Sequence, residues 1–375
     1  MSADRRRDFS LDDGIVYLNC ANLGPIPRVA VEATRRALDL KTNPHLITDR
    51  SFYAVPDDFR RAVAQLVGAA PADIAVTDST TFGIMLAVNG LDWRAGDQVA
   101  ITARNFPANR FPWQWLERRG VEVVEVPDDP EVPEVERFAA VLTPRTRVVS
   151  LEWVSYRTGA RRDLAGVGAL CRERGVLFVV DGTQGVGGLH LDLAATPCDL
   201  LVCSSYKWLL GPVGVGFAYV PPATAERLVP HNVNWFRVAG AEDFSRLAEC
   251  ELELVPGATR FDKNAPASFI DLAGAIASAD YLAEVTPRAV EEHVRGLLDR
   301  LVAGLPAGYR ALGSLEPERR SNILCFAAAT PEATRGSYER LRAAGVIVSL
   351  RDGAIRVSPG IYNNEEEIER VLALL

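Results

Sequence analysis

The sequence predicts an α/β protein built around a mainly parallel β-sheet, and two observations support this. From about Ile15 onward, short apolar runs typical of buried strands alternate with amphipathic stretches typical of helices. Strands that alternate with helices in this way usually pair in parallel. The chain also has 375 residues, 48% of them hydrophobic, which is more than one hydrophobic core usually supports. We therefore expect two packed domains.

The strand and helix alternation extends to about residue 255. The predicted strands are 98–102, 121–126, 147–151, 176–180 and 200–203, and the predicted helices are 56–67, 81–89, 110–119 and 164–174. The last helix stops before Gly175, a residue type that often ends helices because it tolerates the left-handed conformation. Open sheets of this kind bind ligands at the carboxyl ends of their strands. We expect the functional residues there.

The pattern changes after Pro256. Two long helices, 269–282 and 287–305, precede three short strands, 322–327, 346–350 and 354–357. This indicates a large domain over residues 21–255 and a smaller α+β domain over residues 256–375. We expect residues 1–20 to form an N-terminal segment that packs with the small domain.

Composition excludes several classes of function. The net charge of −8, from 41 Lys and Arg against 49 Asp and Glu, is spread along the chain, which argues against nucleic acid as a partner. No run approaches the about 18 apolar residues of a membrane span, and the charged start lacks the apolar core of an export signal. The six cysteines form no CxxC pair and the four histidines no HExxH motif, so we expect no metal site. These features predict a soluble, cytoplasmic protein.

The strongest functional signal is a pair of segments that each follow an apolar strand, VVDGTQ at 179–184 and CSSYKW at 203–208. A carboxylate such as Asp181 is costly at the end of a buried strand unless it is paired, and a protonated pyridine nitrogen is a suitable partner. Lys207, flanked by hydroxyls and followed by a glycine-rich stretch, can react with an aldehyde. Taken singly, Asp181 could be a helix N-cap and Lys207 a surface lysine, but the pair favours a cofactor site.

These segments resemble those of the class V aminotransferases of pyridoxal 5′-phosphate (PLP) fold type I, which include cysteine desulfurases, isopenicillin N epimerase-like proteins and kynureninases. The most specific match is the order of DGTQ, CDLL and SSYKWLLGPVGVG between residues 181 and 220. The resemblance covers nearly the whole chain. It implies PLP as cofactor, an amino-acid substrate, a seven-stranded, mainly parallel sheet in the large domain, and a homodimer.

The resemblance also implies roles for individual residues. Lys207 is the expected Schiff-base lysine and general base, Asp181 the partner of the pyridine nitrogen, and Gln184 the partner of the ring hydroxyl. Ser204 and Tyr206 occupy positions of phosphate ligands.

Three further segments complete the expected cofactor site. In DSTTFG at 78–83, Thr80 and Thr81 precede a predicted helix, where hydroxyls and free backbone N–H groups form an anion site, although a plain N-cap explains the same residues. In NFPANRFPW at 105–113, Phe106 is expected to cover the pyridine ring, with core packing as the alternative. In WVSYRTG at 153–159, Tyr156 or Arg157 is expected near the ring hydroxyl or the substrate, and a surface turn would look similar.

Candidate substrate contacts come from three segments. Arg356, in IRVSPGIYN, matches the family arginine that binds the substrate carboxylate, a task suited to a planar two-pronged donor. An arginine on a strand is otherwise more often a solvated edge residue. Asn22, in YLNCANLGP, is a possible pocket contact. His231 and Trp235 lie in a predicted loop that could set substrate choice, act as a lid or form a dimer seam.

Two departures from the family pattern limit the reaction. The connection at 351–353 has no cysteine, so a cysteine desulfurase that forms a persulfide on its own chain is not expected. After Arg260, the sequence continues FDKNA instead of carrying a Gly-Thr pair, so Asn264 would have to substitute as the contact from the partner subunit to the phosphate.

These features predict an enzyme in which Lys207 removes the α-proton of an amino acid. We favour β-elimination by a C–S lyase acting on a cysteine-derived substrate, with transamination and epimerisation as alternatives in the same family. A nicotinamide-dependent oxidoreductase is disfavoured because GVGGLH at 185–190 lacks the last glycine of GxGxxG and follows a late strand. A non-catalytic binding protein of this fold is the remaining alternative.

Overall fold

The computed structural model describes residues 5–193, 195–196 and 198–375. The strands are β1 Val16–Tyr17, β2 Ile74–Thr77, β3 Gln98–Thr102, β4 Glu122–Val126, β5 Thr146–Glu152, β6 Leu177–Asp181, β7 Leu200–Ser204, β8 Gly216–Tyr219, β9 Tyr309–Leu312, β10 Leu324–Ala328, β11 Val346–Ile347, β12 Ser349–Arg351 and β13 Ala354–Val357. The helices are α1 Arg28–Thr42, α2 Ser51–Val67, α3 Thr80–Gly90, α4 Phe111–Gln114, α5 Glu134–Ala139, α6 Leu164–Arg174, α7 Pro222–Arg227, α8 Phe269–Val285, α9 Pro287–Gly304, α10 Pro331–Ala343 and α11 Glu365–Leu372.

A seven-stranded sheet forms the centre of the molecule, with the strand order β2-β8-β7-β6-β5-β3-β4. All its neighbouring strands run parallel except β8, which is antiparallel to both β2 and β7. This confirms the predicted mainly parallel, seven-stranded sheet. The sequence analysis did not single out β2 and β8, because each has only four residues and too few positions to show a periodic pattern.

The sheet is buried on both faces. Successive strand residues point to opposite faces, so Leu177 and Val179 belong to one hydrophobic cluster while Phe178 and Val180 belong to the other. Helices cover both faces, as expected for a parallel sheet. Because β5, β6 and β7 are parallel, their last residues meet at one edge of the sheet.

A second, antiparallel sheet has the order β12-β13-β10-β9. The N-terminal strand β1 pairs in parallel with β11, with Val16 opposite Val346. Helix α8, by contrast, packs near α1 and α2, where the rings of Phe269 and Phe52 meet edge to face at 5.0 Å. The domain boundaries 1–20, 21–255 and 256–375 stay a prediction. Within the described residues, no helix is long and apolar enough to cross a membrane.

A buried ion pair fixes the edge strand β2, which leads into helix α3. The Asp262 carboxylate accepts a hydrogen bond from the Val76 backbone N–H at 2.7 Å and pairs with the guanidinium of Arg60. Arg60 Nε in turn donates to the Ile74 carbonyl at 3.1 Å. Asp262 and Arg60 are both almost inaccessible to solvent. The pair therefore ties α2, β2 and the segment before α8 together.

Replacing Asp262 with alanine removes the buried carboxylate from Arg60 and leaves Arg60 paired with the exposed carboxylate of Asp57. We expect Asp262→Ala to lower the free energy of unfolding by about 3–5 kcal/mol, measured by denaturant titration. Asp58→Ala is the control, because Asp58 pairs with Arg61 on the exposed surface, where such pairs contribute about 1 kcal/mol or less. Equal losses in the two variants would contradict the role given to the buried pair.

Candidate active site

The carboxyl edge of the main sheet opens into a cavity of about 150 Å³. Asp181 is the last residue of β6, and Lys207 follows the end of β7 by three residues. Polar and aromatic groups line the cavity: Ser79, Thr80, Thr81, Asn105, Phe106, Ala108, Glu152, Val154, Tyr156, Asp181, Thr183, Gln184, Ser204, Tyr206 and Lys207. The structure therefore brings most of the predicted cofactor residues together.

Lys207 is buried at the base of this cavity. Its side chain is only 7% exposed, and Nζ lies 5.3 Å from the centre of the Phe106 ring. Burial lowers the pKa of Lys207 to about 8; the nearby Asp181 carboxylate opposes this shift and the Arg356 charge adds to it. An amine with this pKa is partly neutral at physiological pH, so it can act as a nucleophile or a base.

The N-terminal segment lies directly against the backbone of Lys207. The Gly24 N–H donates to the Tyr206 carbonyl at 2.9 Å. A side chain at Gly24 would collide with the Lys207 carbonyl, so only glycine permits this close approach. Cys20 is also buried there, and its Sγ lies 3.7 Å from the same carbonyl.

Asp181 faces the same cavity as a buried acid. Burial raises its pKa, while hydrogen bonds from Thr183, one of them 2.9 Å from the Thr183 N–H to Oδ1, and the Lys207 charge lower it. A buried carboxylate gains most from a cationic N–H partner. Asp181 therefore fits the protonated pyridine nitrogen of PLP.

The opposite end of the cavity gathers hydroxyls at the start of α3. Thr80 donates its backbone N–H to Ser204 Oγ at 2.9 Å, and its own hydroxyl lies 2.9 Å from Ser204 Oγ and 2.5 Å from Thr183 Oγ1. Ser79 caps the helix by accepting from the Phe82 N–H. Hydroxyls combined with the positive end of a helix suit a phosphate group. Of the predicted phosphate contacts, Thr80, Thr81, Ser204 and Tyr206 all line the cavity.

Two aromatic residues and Gln184 surround the expected ring position. The Phe106 and Tyr156 rings meet edge to face at 5.2 Å. Phe106 is 38% exposed in the chain, which does not fit the alternative of ordinary core packing. Gln184 lines the cavity, but its Nε2 donates to Ala21 O at 2.9 Å and its Oε1 accepts from Trp208 Nε1 at 3.0 Å. One amide hydrogen is left for the ring hydroxyl.

Arg356 is buried, unlike a solvated edge residue. Its Nη1 donates to the Tyr156 carbonyl at 2.7 Å, while its buried Nε has no hydrogen-bond partner among the described residues. Burial and the charge of Arg351 lower the pKa of Arg356 to about 10. An incompletely bonded, buried guanidinium that acts electrostatically on Lys207 fits an anionic group of a substrate.

Five predicted site residues are not among those that line the cavity: Arg356, described above, and Asn22, His231, Trp235 and Asn264. Asn22 is exposed and lines a separate depression beside β11 and β12. His231 lies near Phe82, with ring centres 6.4 Å apart, and Trp235 stacks on a neighbouring phenylalanine. Asn264 accepts from Asn234 Nδ2 at 3.3 Å. Their proposed contacts with substrate or cofactor stay predictions.

The sequence analysis did not single out six of the residues that line the cavity, namely Ser79, Asn105, Ala108, Glu152, Val154 and Thr183. Glu152 carried a usable signal, because it is an acid at the end of an apolar strand, as Asp181 is. It lies opposite Asp181 in the register of β5 and β6.

Comparison with known proteins agrees with this geometry. The family model described as Aminotransferase class-V matches residues 16–371. The chain is 30% identical to isopenicillin N epimerase of Streptomyces clavuligerus, covering 98% of this chain and 96% of that protein. It is 26% identical to a probable cysteine desulfurase of Methanothermobacter thermautotrophicus, covering 98% and 95%.

Solved structures show the same similarity. A complex of the cystine C–S lyase C-DES with its reaction product cysteine persulfide superposes with a TM-score of 0.87 at 25% identity, over 96% of this chain and 97% of that one. A Lys-to-Ala variant of C-DES, with glycine covalently linked to its PLP cofactor, gives the same TM-score over 98% of both chains. From the family match and the arrangement of Lys207, Asp181 and the hydroxyls at the start of α3, we conclude that this chain belongs to the class V aminotransferase family and is a PLP-dependent enzyme.

Proposed function

We propose that the protein is a C–S lyase that cleaves the Cβ–S bond of a cysteine-derived amino acid. The observation that carries this proposal is the tight turn between β12 and β13, where Asp352 and Gly353 both have positive φ and no cysteine is present. Similarity to the cystine C–S lyase C-DES supports it. Cys20, the thiol beside Lys207, is fully buried, and burial raises its pKa to about 12, so it is a poor sulfur acceptor. Released sulfur would therefore leave with the product.

The following residues would each act on a different part of the bound cofactor and substrate. PLP, when bound, supplies an aldehyde for the amino group and a ring that withdraws electrons from Cα. Arg356 would bind the substrate carboxylate with its unpaired Nε among its donors, and Asp181 would hold the proton on the ring nitrogen of bound PLP. Lys207 Nζ would take the α-proton of the substrate. Phe106 would cover one face of the bound ring and exclude water from it.

Elimination then follows from electron balance. The Cα–H electron pair forms the Cα–Cβ double bond, and the Cβ–S pair leaves with sulfur as a thiolate or persulfide anion. The proton on Lys207 can neutralise the departing sulfur. Hydrolysis of the remaining enamine gives pyruvate and ammonia, so no external oxidant or reductant is required.

Epimerisation is the second candidate, because the chain is 30% identical to a protein named isopenicillin N epimerase. It shares the first step, removal of the α-proton by Lys207, but returns a proton to the opposite face of Cα. Transamination also shares that step and then needs a keto acid as second substrate.

We also propose that the enzyme works as a homodimer in the cytoplasm. Trp235 is 41% exposed, and Asn264 is also exposed outside the cavity of its own chain. A second copy could place these residues at its neighbour's phosphate site, where the family Gly-Thr pair is replaced. Light scattering of the purified protein measures the number of chains directly.

The chain contains only three lysines, Lys41, Lys207 and Lys263, which makes the test of the cofactor attachment sharp. We expect purified protein with PLP to show a visible absorbance band that Lys207→Ala abolishes or shifts. Lys41→Ala and Lys263→Ala each remove one of the other two lysines, so they serve as controls and should keep the band. A band that survives in Lys207→Ala and disappears in a control would contradict the assignment.

The reaction is tested by product analysis with L-cystine and S-substituted L-cysteines. A C–S lyase gives pyruvate and a thiol or persulfide in equal amounts, and Lys207→Ala gives neither. Deuterium entering Cα of recovered substrate in D₂O, together with its D-isomer and without pyruvate, would replace the lyase proposal with an epimerase. Formation of a new amino acid only after a keto acid is added would replace it with an aminotransferase.

Arg356→Gln removes the planar donor for the substrate carboxylate. We expect KM to rise about 30-fold or more, since two charge-assisted hydrogen bonds are lost, while the cofactor band persists. Arg351→Gln is the matched control, because it removes an arginine from the adjacent strand β12. A larger rise in KM for Arg351→Gln than for Arg356→Gln would contradict the assignment of Arg356 as the arginine that binds the substrate carboxylate.

The lowered pKa of Lys207 predicts how pH governs cofactor capture by the cofactor-free protein. Only the neutral amine reacts with the aldehyde, so the capture rate should rise about tenfold per pH unit at low pH and level off above about pH 8, instead of near the ordinary lysine value of 10.5. Stopped-flow absorbance measures this rate. Asp181→Asn removes a charge that raises the pKa, so its plateau should begin at lower pH. A plateau near 10.5 in the unmodified protein would contradict the burial argument.

A further inference from the structure

Glu152 is a buried cavity residue that the steps above leave without a role. It ends β5, lies opposite Asp181 on β6, and is 6% exposed. We propose that Glu152, held by Arg162, is a positioning residue that fixes the turn carrying Phe106 over the cofactor ring. The positioning of the turn is argued from the hydrogen bonds of this chain alone. Only the identification of the group beneath Phe106 as a cofactor ring rests on the proposed function.

A continuous chain of hydrogen bonds joins Glu152 to Phe106. The Thr102 hydroxyl, at the end of β3, donates to Glu152 Oε2. Asn105 Nδ2 donates to the same hydroxyl at 2.8 Å, and the Phe106 backbone N–H donates to Asn105 Oδ1 at 2.7 Å. All three hydrogen bonds are donated in the direction of the Glu152 carboxylate. The negative charge of Glu152 therefore sets the direction of the whole series of hydrogen bonds.

The turn needs such support for two reasons. Arg104, within it, has φ of 58°, a left-handed conformation that is unfavourable for a residue other than glycine. Phe106 itself is 38% exposed, so packing alone does not hold its ring in place. Thr102 and Asn105 are both almost inaccessible to solvent, so the chain is not weakened by competition with water.

Arg162 holds the other oxygen of Glu152. Its Nη2 donates to Glu152 Oε1 at 2.9 Å, while its Nη1 donates to Asp128 at 2.7 Å and lies 3.3 Å from Glu134. The arginine is therefore fixed from several sides and would stay in place if Glu152 changed. Both oxygens of Glu152 act as acceptors, and a glutamine offers only one. A glutamine that keeps its oxygen toward Arg162 turns an amide donor toward Thr102, so Glu152→Gln removes the charged acceptor of the Thr102 hydroxyl.

Hydrogen exchange of the cofactor-free protein tests the proposal without any catalytic readout. We expect Glu152→Gln and Thr102→Val to speed amide exchange in the peptide covering residues 103–109 by about tenfold or more, the effect of losing one charge-assisted hydrogen bond. Thr102→Ser keeps the hydroxyl and should restore slow exchange. Thr102→Val also leaves every charge in place, so it decides the question if Glu152→Gln fails to fold.

Glu134→Gln is the matched control, because Glu134 is a buried carboxylate on the same arginine with no bond to Thr102. Its exchange at 103–109 should match the unmodified protein. In PLP-loaded protein, Glu152→Gln and Phe106→Leu should weaken the circular dichroism of the visible band alike. The proposal is overturned if Thr102→Val leaves amide exchange at 103–109 unchanged, or if Thr102→Ser speeds it as much as Thr102→Val does. If the unmodified protein binds no PLP, the proposed function fails while the exchange data still decide the positioning role.

Discussion

The site depends on placing a lysine and a carboxylate at neighbouring strand ends where water is largely excluded. Neither charge is stable there alone, since burial lowers the pKa of Lys207 and raises that of Asp181. Their mutual attraction opposes both shifts without removing them. Parallel pairing of β6 and β7 forces this proximity, because it brings the carboxyl ends of both strands to one edge. The remaining cavity residues are arranged around this strained pair.

Sequence patterns predicted the parts of the fold that repeat a simple rule. Strands 98–102 and 354–357 and helix 164–174 have the predicted bounds, because each is a clear apolar or amphipathic run. The proximity of Lys207 and Asp181 was predictable because both follow apolar strands that pair in parallel, although either residue alone also fits a surface lysine or a helix N-cap. The family resemblance added the expected phosphate contacts, which local sequence alone cannot separate from an ordinary helix cap.

Other features depend on contacts between distant segments that no local pattern reveals. Glu152 ends a strand as Asp181 does, yet its partners Arg162 and Thr102 lie 10 and 50 residues away. The Gln184 amide is largely engaged by Ala21 and Trp208, which its motif does not indicate. Loop residues such as His231 follow no periodic rule, because packing and neighbouring chains decide where a loop lies.

The pairing of β1 with β11 has a consequence for how the protein is made. The segment after β1 closes over the backbone of Lys207 at Gly24, yet the strand that holds β1 lies near the other end of the chain, at Val346 and Ile347. The segment that covers Lys207 is therefore anchored through β1 by a strand that is synthesised near the end of translation. A nascent chain that stops before β11 would lack the strand with which β1 pairs.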